Sequence, residues 1–251
     1  MTRQHITYYL LVIALLICSD TAMAQDDVEY RMDIGAGVGI TSYQGDFSHN
    51  LFNKPSVGGS LIYRIILNPH MAIKTSAMVS QVKGDYSGAN TIYPDASVKN
   101  VPETSLHGFS FANTIGDLCV TYEYNFWPYG TGRDYRGAKR CTPFISLGIG
   151  GTYVHTKNGQ ADYGTMTYSD KKSAITANIP LGCGVKYRMG DRCNISLEWQ
   201  MHFTLSDYLD GVKDPYIVQS SGIFKNTDCY STLTLGFTYS FSAKCSTCHK
   251  D

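Results

Sequence analysis

Charge is scarce in this chain. Asp, Glu, Lys and Arg make up 17% of its 251 residues, against ~25% in an ordinary soluble domain. An excess of either sign is also missing. The 21 Lys and Arg balance 21 Asp and Glu, which leaves no basic footprint for a nucleic-acid partner. Beyond the first 25 residues there is no apolar run near the ~20 that a membrane-crossing helix needs. That excludes a helical membrane protein, but not one that crosses with strands. Abundant instead are 19 Tyr and 24 Gly, with 43% apolar residues overall. Such a composition suits one large β domain with few helices.

The N-terminus reads as a targeting segment. Arg3 and His5 precede an apolar run from Tyr8 to Ile17, and Ala22 and Ala24 occupy the small-residue positions of a signal-peptidase site. Cleavage is expected between Ala24 and Gln25. This predicts a signal peptide over 1–24, a barrel over 25–242 and a Cys-containing tail over 243–251. Cys18 would leave with the signal. Seven cysteines then remain, an odd number, and several sit within strands, where they act as small apolar residues. No disulfide-stapled fold is expected.

Eight segments alternate apolar and polar residues, or come close to it: 30–41, 56–67, 71–84, 110–127, 143–155, 174–189, 192–206 and 230–242. In the seventh, Ile195, Leu197, Trp199, Met201, Phe203 and Leu205 share one face, and Asn194, Ser196, Glu198, Gln200, His202 and Thr204 the other. The fourth slips phase near Gly116, where Ile115 falls on the polar parity, and a bulge there is expected. The connections after strands 2 and 6 are short, and those after odd strands are long and polar. This sorting is the outer-membrane pattern. The expected fold is therefore an eight-stranded, antiparallel, up-and-down transmembrane β-barrel of the outer membrane, with periplasmic termini and extracellular loops.

The polar face decides which way the barrel is turned. It carries Arg31, Asp33, Arg64, Lys74, Glu123, Lys186, Arg188, Glu198 and His202. Inside a narrow barrel these charges would pair, as buried charges must, and the apolar face would meet lipid. Tyr30, Tyr63, Trp127, Tyr129, Tyr187 and Tyr208 stand near strand ends, where interfacial aromatic girdles form. A soluble barrel with the faces reversed is the competing reading. Signal peptide, strand length and the charged ladder weigh against it.

Motifs that could carry chemistry are weak. Cys245-Ser-Thr-Cys248-His249 fits covalent haem attachment, but two residues follow His249 and leave nothing to bury a porphyrin. His202 with Ser206 and Asp207 could sketch a hydrolase. A place in the interior hydrogen-bond network is the simpler account. Gly35 to Gly39 alternate glycine inward within a strand, relieving crowding rather than cradling phosphate. Asp207, Asp210 and Asp214 are a solvated loop or a weak Ca²⁺ site. Neither enzyme activity, a cofactor, a metal nor a small-molecule substrate is expected. The turn 130–142 holds Arg133, Arg136, Lys139 and Arg140 against Asp134. It either docks an acidic periplasmic partner or is a solvated loop.

Three segments resemble a known family: "MDIGAGVGITSYQGDF" with "LIYRIILNPHMAIKTSAMVSQVKGD", "LCVTYEYNFWPY" with "TPFISLGIGGTYV", and "IPLGCGVKYRMGDRCNISLEWQMHFTLSDYLDGV". Together they are similar to PorG-like outer-membrane barrels associated with type IX secretion and gliding. The Cys-rich tail and Cys183 and Cys193 depart from that pattern. The resemblance implies a non-enzymatic barrel that anchors a periplasmic secretion ring to outer-membrane lipid. The alternative is a surface barrel binding ligands or host molecules through its long loops.

Overall fold

Alternating residues favour extended backbone when each face has its own solvent, lipid for one and a polar interior for the other. The computed structural model describes residues 30–44, 54–85, 110–130, 139–155, 173–205, 209 and 228–243. Eight strands lie within them: β1 (Tyr30–Gln44), β2 (Ser56–Asn68), β3 (Met71–Asp85), β4 (Ser110–Asn125), β5 (Cys141–His155), β6 (Ser173–Arg188), β7 (Cys193–Thr204) and β8 (Cys229–Ala243). Among the described residues there is no helix. Each strand pairs antiparallel with its neighbours in the chain, and β8 returns to β1 to close the barrel.

The two ends of the barrel differ. Tyr30 pairs with Ala243 at the end that also carries the connections 69–70, 126–140 and 189–192. We call this the turn end, and the opposite one the loop end. The ladder from Ile66 runs through Ala72, Glu123, Ser146, Gly182, Gln200, Thr232 and Thr41 to Ser56, also on β2. From residue 66 to residue 56 is a stagger of ten, which gives eight strands a tilt of roughly 35–45° and an interior just wide enough for side chains.

The faces are turned inside out relative to a soluble barrel. Every strand exposes large apolar residues outward, such as Ile34, Leu61, Val79, Leu118, Ile149 (73% exposed), Ile175 (81% exposed), Leu197 and Leu235. The buried set is dominated by Asp, Glu, Lys, Arg, Asn, Ser and Thr. Water would penalise that outer wall over its whole circumference, whereas hydrocarbon matches it. The wall is a membrane-facing one.

Two expectations about the strands need correction. No bulge interrupts β4, whose register with β3 runs unbroken from Asp85↔Ser110 to Met71↔Tyr124. The apparent slip arises because the inner face itself turns apolar toward the loop end, where Ile115, Val82 and Val154 are fully buried. Arg31, read as inward, is exposed, one residue inside the turn-end rim. Elsewhere the interior is tight. A Cβ on Gly35 would collide with the Phe237 carbonyl oxygen, and one on Gly148 with that of Val120. Cys119, Cys141, Cys183 and Cys193 form no disulfide.

Candidate functional site

The lumen is filled in tiers. At the turn end, the chain after β4 folds across the mouth. Tyr129 N donates to the Pro69 carbonyl at 3.0 Å, and its hydroxyl donates to Asn194 Oδ1 at 2.7 Å. Tyr129 is 4% exposed, so it plugs the mouth rather than joining an outer girdle. Burial raises its hydroxyl pKa well above the usual tyrosine value. Tyr30 is also buried, with Arg192 lying 5.1 Å over its ring. Trp127 and Tyr187 are exposed near the rim, as expected of a girdle.

Above the plug, three acids and three bases neutralise one another. Glu123 accepts from Arg64 Nε at 2.7 Å and Lys186 Nζ at 2.6 Å, with Lys74 Nζ at 3.7 Å. Lys74 donates to Glu198 at 2.5 Å, and Arg64 reaches Asp33 at 3.2 Å. Ser146 and Ser240 donate to Glu198 and Asp33. Lys186 also donates to Asn125 and lies 4.4 Å over the Phe144 ring. Strand parity placed these six charges inward, and the structure brings them together. Arg188 was expected among them. Instead its guanidinium donates to the Gly130 carbonyl at 2.8 Å and pins the start of the long turn.

Nearer the loop end the chemistry changes. Asp117 Oδ1 accepts from Asn178 Nδ2 at 2.6 Å and from Thr152 Oγ1 at 3.0 Å. Its Oδ2 accepts from Cys119 Sγ at 3.0 Å and lies 3.5 Å from His202 Nδ1. Cys119 Sγ is 4.0 Å from the same Nδ1. The His202 ring stacks on Tyr230 at 4.4 Å, and its Nε2 faces Thr232 Oγ1 at 3.5 Å. Asp117 carries the key contacts and escaped the sequence reading. The bulge expected at Gly116 hid its parity, and an unbroken count from Asn113 to Asn125 would have found it.

This arrangement is not a nucleophilic triad. There the base uses one ring nitrogen on the nucleophile and the other on the orienting acid. Here Cys119 and Asp117 both address Nδ1. Ser206 and Asp207, the other candidate partners of His202, lie outside the described residues. So do Asp210 and Asp214, although Leu209, just before Asp210, is a cap, with its N–H donating to Asp228 at 3.0 Å and its carbonyl accepting from Asn113. Tyr43 donates to the same Asp228 at 2.6 Å. With Ile115, Val82 and Val154 buried at the same end of the lumen, these residues fill the loop end among the described residues.

The basic turn is partly described. Arg133 and Arg136 lie outside the described residues, as do Ala24, Gln25, Tyr208, Cys245, Cys248 and His249. Lys139 and Arg140 are exposed. Lys139 Nζ sits 4.5 Å over the Trp127 ring, and the backbone of both residues is tied to the barrel, through Pro128 and Arg188.

A family model described as a domain of unknown function (DUF6089) matches residues 7–250. No curated protein matches the sequence. Several solved structures are similar in build. OprG of Pseudomonas aeruginosa is 11% identical, with 87% of this chain and 99% of that one covered at a TM-score of 0.46. The attachment invasion locus protein Ail of Yersinia pestis, in complex with the heparin analogue sucrose octasulfate, is 12% identical, with 85% and 99% covered at 0.45. Neisserial surface protein A is 11% identical, with 84% and 97% covered at 0.44.

Proposed function

The chain belongs to the DUF6089 family, whose description assigns no activity, and we propose that it is a sealed outer-membrane barrel serving as a non-enzymatic structural anchor in a type IX secretion assembly. The sealed lumen carries this reading. Tyr129 plugs one mouth, six charges cancel in the middle, and Leu209 with its apolar neighbours caps the other. Among the described residues nothing in that column leaves a path for solute, so function falls to the surfaces at the two ends. The apolar wall and the signal peptide expected over residues 1–24 support an outer-membrane address.

Of the two ends, the turn end suits a fixed dock. Its long connection exceeds what closing a hairpin requires, and Arg188, Pro128 and Trp127 hold its base to the barrel. With periplasmic termini, Arg133, Arg136, Lys139 and Arg140 face an acidic ring protein there. Exposed like charges speed and orient such encounters, and salt weakens them. The test replaces all four with Ser. Partner recovery by cross-linking and cargo secretion should both fall, while heat-modifiable gel migration shows the barrel folded. Unchanged recovery and secretion in a folded variant refutes the docking role. Partners cross-linked only from the long loops would support the surface-binding alternative.

A further inference from the structure

Asp117, Cys119 and His202 point three lone-pair donors at one place, and we propose that they form a buried site for a divalent zinc-class metal ion within the lumen. This goes beyond the anchoring role and does not depend on it. Four observations carry it. First, the donor set is mixed in the way Zn²⁺ accepts, one thiolate, one imidazole and one carboxylate. Second, the spacing fits. Tetrahedral bonds of about 2.0–2.3 Å put neighbouring ligand atoms about 3.3–3.6 Å apart. Here the edges are 3.0 Å (Sγ to Oδ2), 3.5 Å (Oδ2 to Nδ1) and 4.0 Å (Sγ to Nδ1). Small side-chain shifts close that gap.

Third, a cation is missing from the charge balance. Asp33, Glu123 and Glu198 each have a Lys or Arg within 4 Å. Asp117, also buried, has none among the described residues; its donors Asn178, Thr152 and Cys119 are neutral, and the one basic group beside it is the His202 imidazole at 3.5 Å. Hydrogen bonds from neutral groups offset part of the cost of burying that carboxylate, and a counter-charge would offset the rest. Zn²⁺ with one thiolate, one carboxylate and a neutral imidazole sums to zero, so the ion would complete the neutrality already present below it. Binding releases the Cys119 thiol proton to solvent. Fourth, the outer contacts of a metal site are in place. Thr152 and Asn178 hold Oδ1 and turn Oδ2 inward, Thr232 faces the far nitrogen of His202, and Tyr230 stacks on its ring. A cavity of about 20 Å³ borders Asp117 and His202, room for one water as fourth ligand. The Ser60 hydroxyl beside it is buried without a hydrogen-bond partner among the described residues.

The test uses the full-length barrel, stripped with chelator in denaturant and refolded into detergent with zinc alone, so that the metal meets its ligands before the lumen closes. One zinc per chain is expected by elemental analysis. Cobalt in its place should give thiolate-to-metal charge-transfer absorption. Cys119→Ser should lose both signals. Cys183→Ser, on the outer wall, should keep both, and Asn178→Ala should weaken zinc binding about 10–100-fold. Should Cys119→Ser fail to fold, native mass spectrometry on the wild type replaces it, with one zinc expected per chain after refolding with the metal and, at a urea concentration that opens the barrel, slower alkylation of Cys119 with zinc than without. Absence of stoichiometric zinc overturns the proposal. Zinc that survives Cys119→Ser, or that departs with Cys245→Ser/Cys248→Ser instead, overturns it equally.

Discussion

Replacing Glu123 by Gln removes one charge from the centre of the lumen and leaves its shape nearly intact. Three cations surround that carboxylate, Lys186 at 2.6 Å, Arg64 at 2.7 Å and Lys74 at 3.7 Å. At an effective dielectric constant near 20, each attraction is about 4 kcal/mol for charge centres ~4 Å apart, or on the order of 12 kcal/mol gross. Most of this is cancelled, because the variant no longer desolvates a carboxylate and no longer repels Asp33 and Glu198. What persists is an unbalanced positive charge without water, and breaking a buried pair in that way costs about 3–5 kcal/mol. Glu123→Gln combined with Lys186→Met restores neutrality, because Asp33 and Glu198 then face Arg64 and Lys74. Methionine also packs against Phe144, where the ammonium lay 4.4 Å from the ring. The double variant should regain most of the loss. Urea titration of barrels refolded into vesicles, followed by tryptophan fluorescence and by gel migration without boiling, measures both. A single variant within about 0.5 kcal/mol of wild type, the range of an ordinary surface change, would refute the reasoning. So would a double variant no more stable than the single one.

Leu235, half exposed on the outer wall, should tolerate Arg poorly, at about 2–4 kcal/mol near the bilayer midplane; a lipid-soluble probe should label cysteines at the Leu235, Phe237 and Tyr239 positions and spare those at Thr234 and Thr238. Purified protein in planar bilayers should show no steady conductance, and a reproducible large channel in most insertions would contradict the filled lumen. Gly148→Ala should cost about 1–3 kcal/mol by overpacking, since its Cβ would meet the Val120 carbonyl oxygen and Thr121, whereas a Cβ on Gly59 meets nothing within 4 Å. Gly59→Ala should therefore stay within about 0.5 kcal/mol of wild type in the same urea titration.

Much of the barrel was legible because one rule, alternation, sets both the strand and its faces. Leu233, Leu235, Phe237 and Tyr239 against Thr232, Thr234, Gly236 and Thr238 sufficed to place β8, and the pairing of Arg64, Lys74, Glu123, Lys186 and Glu198 followed from parity and charge. The rule fails where a face changes character along its length. Ile115 points inward like Asp117 and Cys119, yet its apolarity reads as a slip, and this hid the acid on which the upper cluster depends. Tyr129 and Leu209 were illegible for another reason. Both lie in connections, and only the closed barrel supplies the mouths they fill, through Pro69 and Asn194 for one and Asp228 and Asn113 for the other.

The charge network also constrains how the protein comes into being. Its members sit on β1, β2, β3, β4, β6 and β7, and most of its bonds join strands that are not neighbours: Lys74 on β3 with Glu198 on β7, Lys186 on β6 with Glu123 on β4, Arg64 on β2 with Glu123. Asp33 is held by Ser240 across the closing seam between β1 and β8. Entering the bilayer alone, the β5–β6 hairpin would carry Lys186 and the β7–β8 hairpin Glu198 into hydrocarbon without a partner, while β1–β2 and β3–β4 would keep only the Arg64–Asp33 and Lys74–Glu123 contacts. Stepwise insertion, hairpin by hairpin, is therefore penalised, most for the two C-terminal hairpins. Curling together at the membrane surface and crossing as a nearly closed cylinder, or sheltering by an insertase until the seam zips, avoids that cost. Variants that neutralise the network should insert faster while being less stable once inserted.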